Sequence, residues 1–289
     1  MGTRSSKRSG GLRMRRVARA SDAEIAIMAA KEASRVLLER EGAPHERIFK
    51  GGGDFATEAD IAAERAALAL LRECRPDDAV IAEESGWSGP REAERVWMLD
   101  PLCGTLNYAS RTGPYGVNVA LTKGDEVLAA AVSEPLYDRV IWTDGSAVLI
   151  GCGDEEAPAS PSPESRVVEI LMDAQDPDAR GFSLARFWRS SAFDTLNPRY
   201  VGTGISLAWV AAGLRAGFVI AGDRAASVHF SAGIGLCRAA GCIMSGLMGE
   251  DLHLANSGIV CAADERTYDA LMNGIGEQFQ SGPVDPPVR

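Results

Sequence analysis

Apolar positions in the first quarter of the chain recur at helical spacing. Ile25, Met28, Ala29, Val36 and Leu37 fall on one helical face. Ser21 and Glu24 make a capping-box pattern ahead of them and Gly42 stands behind as a stop, so a helix is expected over 21–41. Lys50-Gly51-Gly52-Gly53 reads as a flexible loop, and Asp54 to Asp60 leads into a second helix ending near Cys74. Val80-Ile81-Ala82 and Val96 to Leu99 read as short buried strands. They carry Glu83-Glu84 and Asp100 at their carboxyl ends.

From Val117 to Trp142 the period changes to that of strands. VNVALT, a Lys123-Gly124-Asp125 turn, EVLAAAVSE and RVIWT make hairpin-connected antiparallel strands. Residues 153–165 hold Pro158, Pro161 and Pro163 among small polar residues and read as a linker. A second α/β unit follows: a strand at 167–172, an Ala-rich helix at 204–215, a strand at 218–221, a helix at 230–240, and a strand and helix across 258–275. The expected organisation is a basic disordered tail (1–20), an N-terminal α+β domain (21–152), the linker, a C-terminal α/β domain (166–280) and a tail (281–289).

Composition narrows the class. The 289 residues are 46% hydrophobic and carry a formal net charge of −10, which excludes general disorder and argues against a nucleic-acid-binding body. No apolar run reaches the roughly 20 residues of a membrane span. The first 20 residues hold seven Lys or Arg and no acid, leaving −17 on the remainder. They lack the apolar core of a signal peptide, so a cytoplasmic location is expected. Six cysteines (Cys74, Cys103, Cys152, Cys237, Cys242 and Cys261) include no CxxC pair, against a zinc ribbon or disulfide scaffold. Cys237 and Cys242 read as buried helix and strand residues. Trp142, Trp188 and Trp209 read as packing residues, and His45 and His253 as loop or surface histidines.

Acidic residues stand near the ends of successive short elements: Asp54, Glu83 with Glu84, and Asp100. Hard divalent cations take oxygen ligands, and strand ends are rigid places to hold them. Directly after Asp100 comes Pro101-Leu102-Cys103-Gly104-Thr105-Leu106-Asn107. There Gly104 and Thr105 would open a helix whose free N–H groups suit an oxyanion.

These segments resemble the inositol monophosphatase family of magnesium-dependent, lithium-sensitive-type phosphatases. The family's D-x-[VA]-T-x-x-D is matched by Asp54 to Asp60, and its G-E-E by Ala82-Glu83-Glu84-Ser85. Its W-x-[VIL]-D-P-[LI]-D-G-T-x-N-[FY] is matched by Trp97 to Tyr108. The late W-D-x-A-A-G aligns with Val228 to Gly233 and is followed by Ala239-Ala240-Gly241. The resemblance covers roughly residues 21 to 275. It implies an α/β/α/β/α layered sandwich, a homodimer and a small-molecule phosphate substrate. It further implies that Glu83, Asp100 and the Leu102 carbonyl hold a first Mg2+ ion, with Glu83 also helping to seat a loosely held ion. By the same resemblance Asp54 and Thr105 orient and deprotonate water, and the Gly104 and Thr105 amides grip phosphate.

Two departures alter that picture. The family's second aspartate in D-P-x-D-G-T is Cys103 here, and the aspartate of its W-D segment is His229. The carboxylate that meets substrate ring hydroxyls falls on Gly222, so inositol phosphate is not the expected substrate. Thiolate and imidazole are poor partners for magnesium. Three readings follow. The chain is a divergent phosphatase with a remodelled site, holding fewer magnesium ions or a softer metal on Asp100, Cys103 and His229. Alternatively, Cys103 is a nucleophile paired with His229 in acyl or related group transfer, with no metal. The third reading is an inactive binding relative.

Overall fold

The computed structural model describes residues 20–42, 47–51, 54–171, 182–200, 202–222, 227–254 and 257–280. The basic tail as far as residue 19, His45, Gly52, Gly53 and the tail from 281 lie outside them.

Helix α1 (Asp22–Arg40) starts on the expected capping box: Ser21 accepts from the Glu24 amide, and Glu24 accepts from the Ser21 amide at 2.7 Å. Its buried face is mostly alanine (Ala23, Ala26, Ala29, Ala30, Ala33), which lets it close on the alanine face of α2 (Glu58–Cys74) at Ala59, Ala63 and Ala67. Both helices cover one side of an eight-stranded sheet. It comprises β3 (Ala79–Ala82), β4 (Gly86–Ser88), β5 (Arg95–Cys103), β6 (Gly116–Lys123), β7 (Glu126–Glu134), β8 (Arg139–Thr143), β9 (Val148–Cys152) and β10 (Glu155–Ala159). The order is β10-β9-β8-β7-β6-β5-β3-β4.

A second sheet has β11 (Val167–Leu171), β12 (Asn197–Tyr200), β13 (Gly217–Ala221), β14 (Ile243–Ser245) and β15 (Gly258–Ala262), in the order β12-β11-β13-β15-β14. Between the sheets lie α5 (Ser206–Ala211) and α6 (Ser231–Ala240). The short α3 (Thr105–Ala109) follows β5. Helices α4 (Leu184–Phe187) and α7 (Glu265–Gln280) cover the outer face of the second sheet. The layering is α/β/α/β/α. One apolar cluster fills the space under α1 and α2, a second spans both sheets around α5 and α6, and a third lies beneath α7.

Several elements differ from the expectation. Lys50 and Gly51 end a strand, β1 (Arg47–Gly51), paired antiparallel with β2 (Asp54–Thr57). Part of the 153–165 segment is strand β10, paired with β9; Pro158 is tolerated because β10 is an edge strand. The helix expected over 204–215 is confined to Ser206–Ala211. Trp209 is buried, with its indole N–H donating to Glu134, whereas Trp188 lies 44% exposed and stacked on Tyr200.

Asp22 ties the first layer together. It accepts from Arg75, just past α2, at 2.9 Å and from Arg95 of β5 at 3.0 Å, while Arg95 also grips Asp78, the acceptor for the Trp97 indole. Burial works against the Asp22 carboxylate, but Arg95 and Arg75 override it and hold the group below its ordinary value. A carboxyl lowered on folding adds stability above its unfolded value near 4, and that stability is lost as pH falls through the folded value. Asp22→Asn is therefore expected to cost about 1 kcal/mol at neutral pH. The gap in urea midpoint should narrow progressively as pH falls below about 4; an undiminished gap in acid would assign the effect to something other than charge.

Candidate active site

The centre of the site is set by an irregularity in β5. Asp100 pairs with Asn118 and Cys103 with Gly116, so one extra residue is accommodated between them. In a regular strand Asp100 and Leu102 would share a face. The bulge instead sends Leu102 into the cluster under α1 and α2, and turns Cys103 into the middle layer. Asp100 and Cys103 thereby meet His229, which lies two residues before α6. One ligand atom from each of the three lies within 4.8 Å of the others.

Asp100 is fully buried and fully engaged. Its Oδ2 is 2.8 Å from His229 Nδ1 and accepts from Asn118 Nδ2 at 3.3 Å, and its Oδ1 accepts from the Leu102 amide at 3.1 Å. Asn118 also donates to the His229 carbonyl at 3.2 Å, tying β6 to the α6 approach. Burial penalises the Asp100 carboxylate, yet the imidazole beside it holds the group below its ordinary range. His229 answers in kind: burial works against its charge, but Asp100 raises it far above an ordinary histidine. The imidazole is 39% exposed and faces the opening of the site.

Cys103 is 5% exposed, and burial together with Asp100 pushes its thiol up. Its Sγ accepts the Gly204 amide at 3.1 Å, and its carbonyl accepts the Thr203 hydroxyl at 3.0 Å. Position 204 has to be glycine, because a Cβ there would stand 2.9 Å from the His229 carbonyl and 3.4 Å from Cys103 Sγ. Gly104 has φ +100 and supplies the left-handed turn from β5 into α3.

Glu83 lies beyond the end of β3. Its Oε1 accepts from Lys50 at 3.0 Å, Lys50 also donates to Glu84 at 2.7 Å, and Glu83 Oε2 is buried with no donor. Burial and then Asp100 raise Glu83, against the pull of His229 and Lys50. Lys50, Arg65, Arg72, Glu83 and Glu84 line a cleft of about 560 Å³ reaching Glu83 from outside.

The expected pairing of Asp54 with Thr105 falls on a side chain outside the described residues. The carboxylate at the Thr105 hydroxyl is Asp60, whose Oδ1 is 3.0 Å away. Asp54 itself is a strand residue of β2. Asp60 is positioned because it is the third residue of α2. There its Oδ2 accepts from the Thr57 amide at 2.8 Å and the Thr57 hydroxyl at 2.6 Å. Burial raises Asp60 to about 6, against those hydrogen bonds. The Leu102 carbonyl, expected to bind metal, accepts from Thr105 at 3.0 Å.

These donors do not make a magnesium set. Positions 103 and 229 offer sulfur and nitrogen where a hard ion wants carboxylate oxygen, and Lys50 holds one Glu83 oxygen. A borderline-soft ion accepts such a set, and Glu83 Oε2 is a buried oxygen with no donor of its own.

Five alternating layers, with acidic strand ends meeting a helix start between two sheets, define an inositol-monophosphatase-type fold. The chain belongs to the inositol monophosphatase family, whose model matches residues 19–280. An inositol-1-monophosphatase from Caulobacter vibrioides is 29% identical over 65% of this chain and 75% of its own length. A 101-residue stretch is 43% identical to a protein of Streptomyces griseus named glucose-1-phosphate thymidylyltransferase, covering 35% of this chain and 38% of that one. The extragenic suppressor protein suhB of Bartonella henselae superposes with a TM-score of 0.76 over 87% of this chain and 96% of its own, at 23% identity. Among the described residues no helix is long and apolar enough to cross a membrane.

Burial and a raised thiol predict a sluggish Cys103. Under native conditions iodoacetamide should label Cys103 at least about tenfold more slowly than the exposed Cys152. Peptide mass spectrometry reads the order, and prior labelling of Cys103 would contradict this account.

Proposed function

We propose that the protein hydrolyses a small-molecule phosphate monoester other than inositol phosphate, using a single borderline-soft divalent ion held by Asp100, Cys103 and His229. The observation that carries this reading is the convergence of one oxygen, one sulfur and one nitrogen donor within 4.8 Å. Three protein ligands with room for a fourth is the usual form of a catalytic zinc site. An ion there would supply positive charge to the transferring phosphoryl group and acidify water.

The chain's own residues do the rest. Asp60 is the proton acceptor, reached through the Thr105 hydroxyl at 3.0 Å, and its value near 6 suits a general base. The Gly104 and Thr105 amides receive phosphate, while the adjoining cleft balances Lys50, Arg65 and Arg72 against Glu64, Glu83 and Glu84. Asn118 fixes the His229 loop against Asp100. Gly222, in a left-handed turn with its amide bonded to the Ser257 carbonyl, offers no carboxylate to polyol hydroxyls. The homodimer is part of the same proposal.

A Cys103 nucleophile would need an accessible thiolate. A side chain 5% exposed beside a buried carboxylate favours a ligand role instead.

Chelator should abolish turnover of a generic phosphate monoester, and Zn2+ or Mn2+ should restore it better than Mg2+. Cys103→Ser and His229→Ala should each weaken metal binding by more than about 100-fold, beyond the loss seen when only a residue supporting a ligand is removed. Cys103→Asp with His229→Asp should turn the preference to Mg2+. Activity indifferent to chelator, or wild type that prefers Mg2+, would overturn the reading.

The pH profile tests Asp60. A base must be deprotonated, so kcat should rise through about pH 6, and Asp60→Asn should lose about 100-fold or more. An acid limb unchanged in Asp60→Asn would remove Asp60 from this role.

A further inference from the structure

A second convergence of side chains lies in the middle layer, away from the site just described. Helix α6 ends in a left-handed glycine turn: Gly241 has φ +78, its amide donates to the Arg238 carbonyl at 3.1 Å, and the Cys242 amide donates back to the Cys237 carbonyl at 2.9 Å. This pair of hydrogen bonds brings the side chains of the fourth-last helical position and the residue after the glycine together. Here both are cysteines. A third arrives from the sheet, because Cys261 of β15 pairs with Met244 of β14, two residues beyond Cys242. The three sulfurs lie within 4.8 Å of one another.

Their environments differ. Cys237 and Cys261 are fully buried in the apolar cluster between the sheets, whereas Cys242 is half-buried. The Cys237 thiol has one proton, and the Leu207 carbonyl at 3.3 Å is an acceptor alternative to Cys242. Hydrogen bonds from Cys237 and then Cys261 hold the Cys242 thiol well below its ordinary value, while burial pushes the other two up. The cluster therefore sets one half-buried thiol, the readiest of the three to ionise, beside two fully buried ones. Oxidation-sensitive thiols have that form: a low, accessible thiolate beside a second cysteine that can resolve it.

We propose that Cys242 is a peroxide-reactive thiol and that Cys237 resolves it, closing a reversible disulfide at the C-terminus of α6. The Cys242 thiolate attacks one oxygen of hydrogen peroxide or an alkyl hydroperoxide, breaking the O–O bond. The sulfur becomes a sulfenic acid and the other oxygen leaves as hydroxide or alkoxide. The Cys237 sulfur then attacks the Cys242 sulfur, the S–O bond breaks, and the Cys237 proton leaves with the departing oxygen as water. Two thiols are oxidised by two electrons, and one peroxide is reduced to two waters, or to water and an alcohol. Cys237 resolves rather than Cys261 because it lies in the same tight helix-end turn, where a bond between sulfurs needs only local adjustment. Cys261 is held in a strand paired on both sides.

The test uses the full-length reduced protein with stoichiometric hydrogen peroxide. Trypsin cuts after Arg238 and next after Arg266, so Cys237 is on one peptide and Cys242 and Cys261 on the other, and fragmentation of the linked pair locates the bond at Cys242. Expected are that link, its reversal by dithiothreitol, and oxidation at least about tenfold faster than that of Cys152. In Cys237→Ser, dimedone should trap a sulfenic acid on Cys242; Cys242→Ser should show neither product. Oxidation of Cys152 first with no Cys237–Cys242 link would overturn the proposal. So would three thiols protected by a stoichiometric bound metal ion.

Discussion

One extra residue in β5 determines the whole site. Without the bulge after Asp100, strand alternation would turn Cys103 toward α1 and α2 and leave Asp100 alone in the middle layer. With it, a buried carboxylate and a thiol face the same space, and His229 completes the group from the opposite sheet's connection. Everything around them serves to hold three unlike donors at one point: Asn118 bridging to His229, Gly204 allowing its amide to reach sulfur, and Gly104 making the turn. A fully buried charge is costly unless partnered. Asp100 is satisfied by imidazole, amide and backbone together.

The charges form two nested pairs. Inside, Asp100 faces His229; outside, Lys50 bridges Glu83 and Glu84 at the mouth of the cleft. An ion of either kind must part Asp100 from His229, and what favours the softer one is the sulfur and nitrogen it would meet there. The substitutions at positions 103 and 229 therefore change which ion suits the pocket more than they change its shape.

Much of this was readable in the chain. The α1 capping box, the hairpin series from 117 to 142 and the Asp100-to-Asn107 segment appear where local pattern placed them, because each is specified by residues close in sequence. The juxtaposition of Cys103 with His229 followed from family resemblance alone, since 126 positions separate them. The six-residue spacing of Asp54 and Asp60 does not say which acid faces Thr105; the structure puts Asp60 there. The overlooked signal was local: Thr57 and Asp60 have capping-box spacing, which fixes Asp60 at the start of α2. Strand β10 was hidden by its proline, which only an edge strand permits. The Cys237–Cys242–Cys261 cluster depends on a helix end meeting a sheet, and no sequence window contains that contact.

The central claim is that one oxygen, one nitrogen and one sulfur hold the ion. X-ray absorption at the zinc edge, on protein loaded with one equivalent, measures this directly. The account predicts one sulfur at about 2.3 Å and nitrogen or oxygen neighbours at about 2.0–2.2 Å. A shell of oxygens alone, or a shell of three sulfurs, would contradict it.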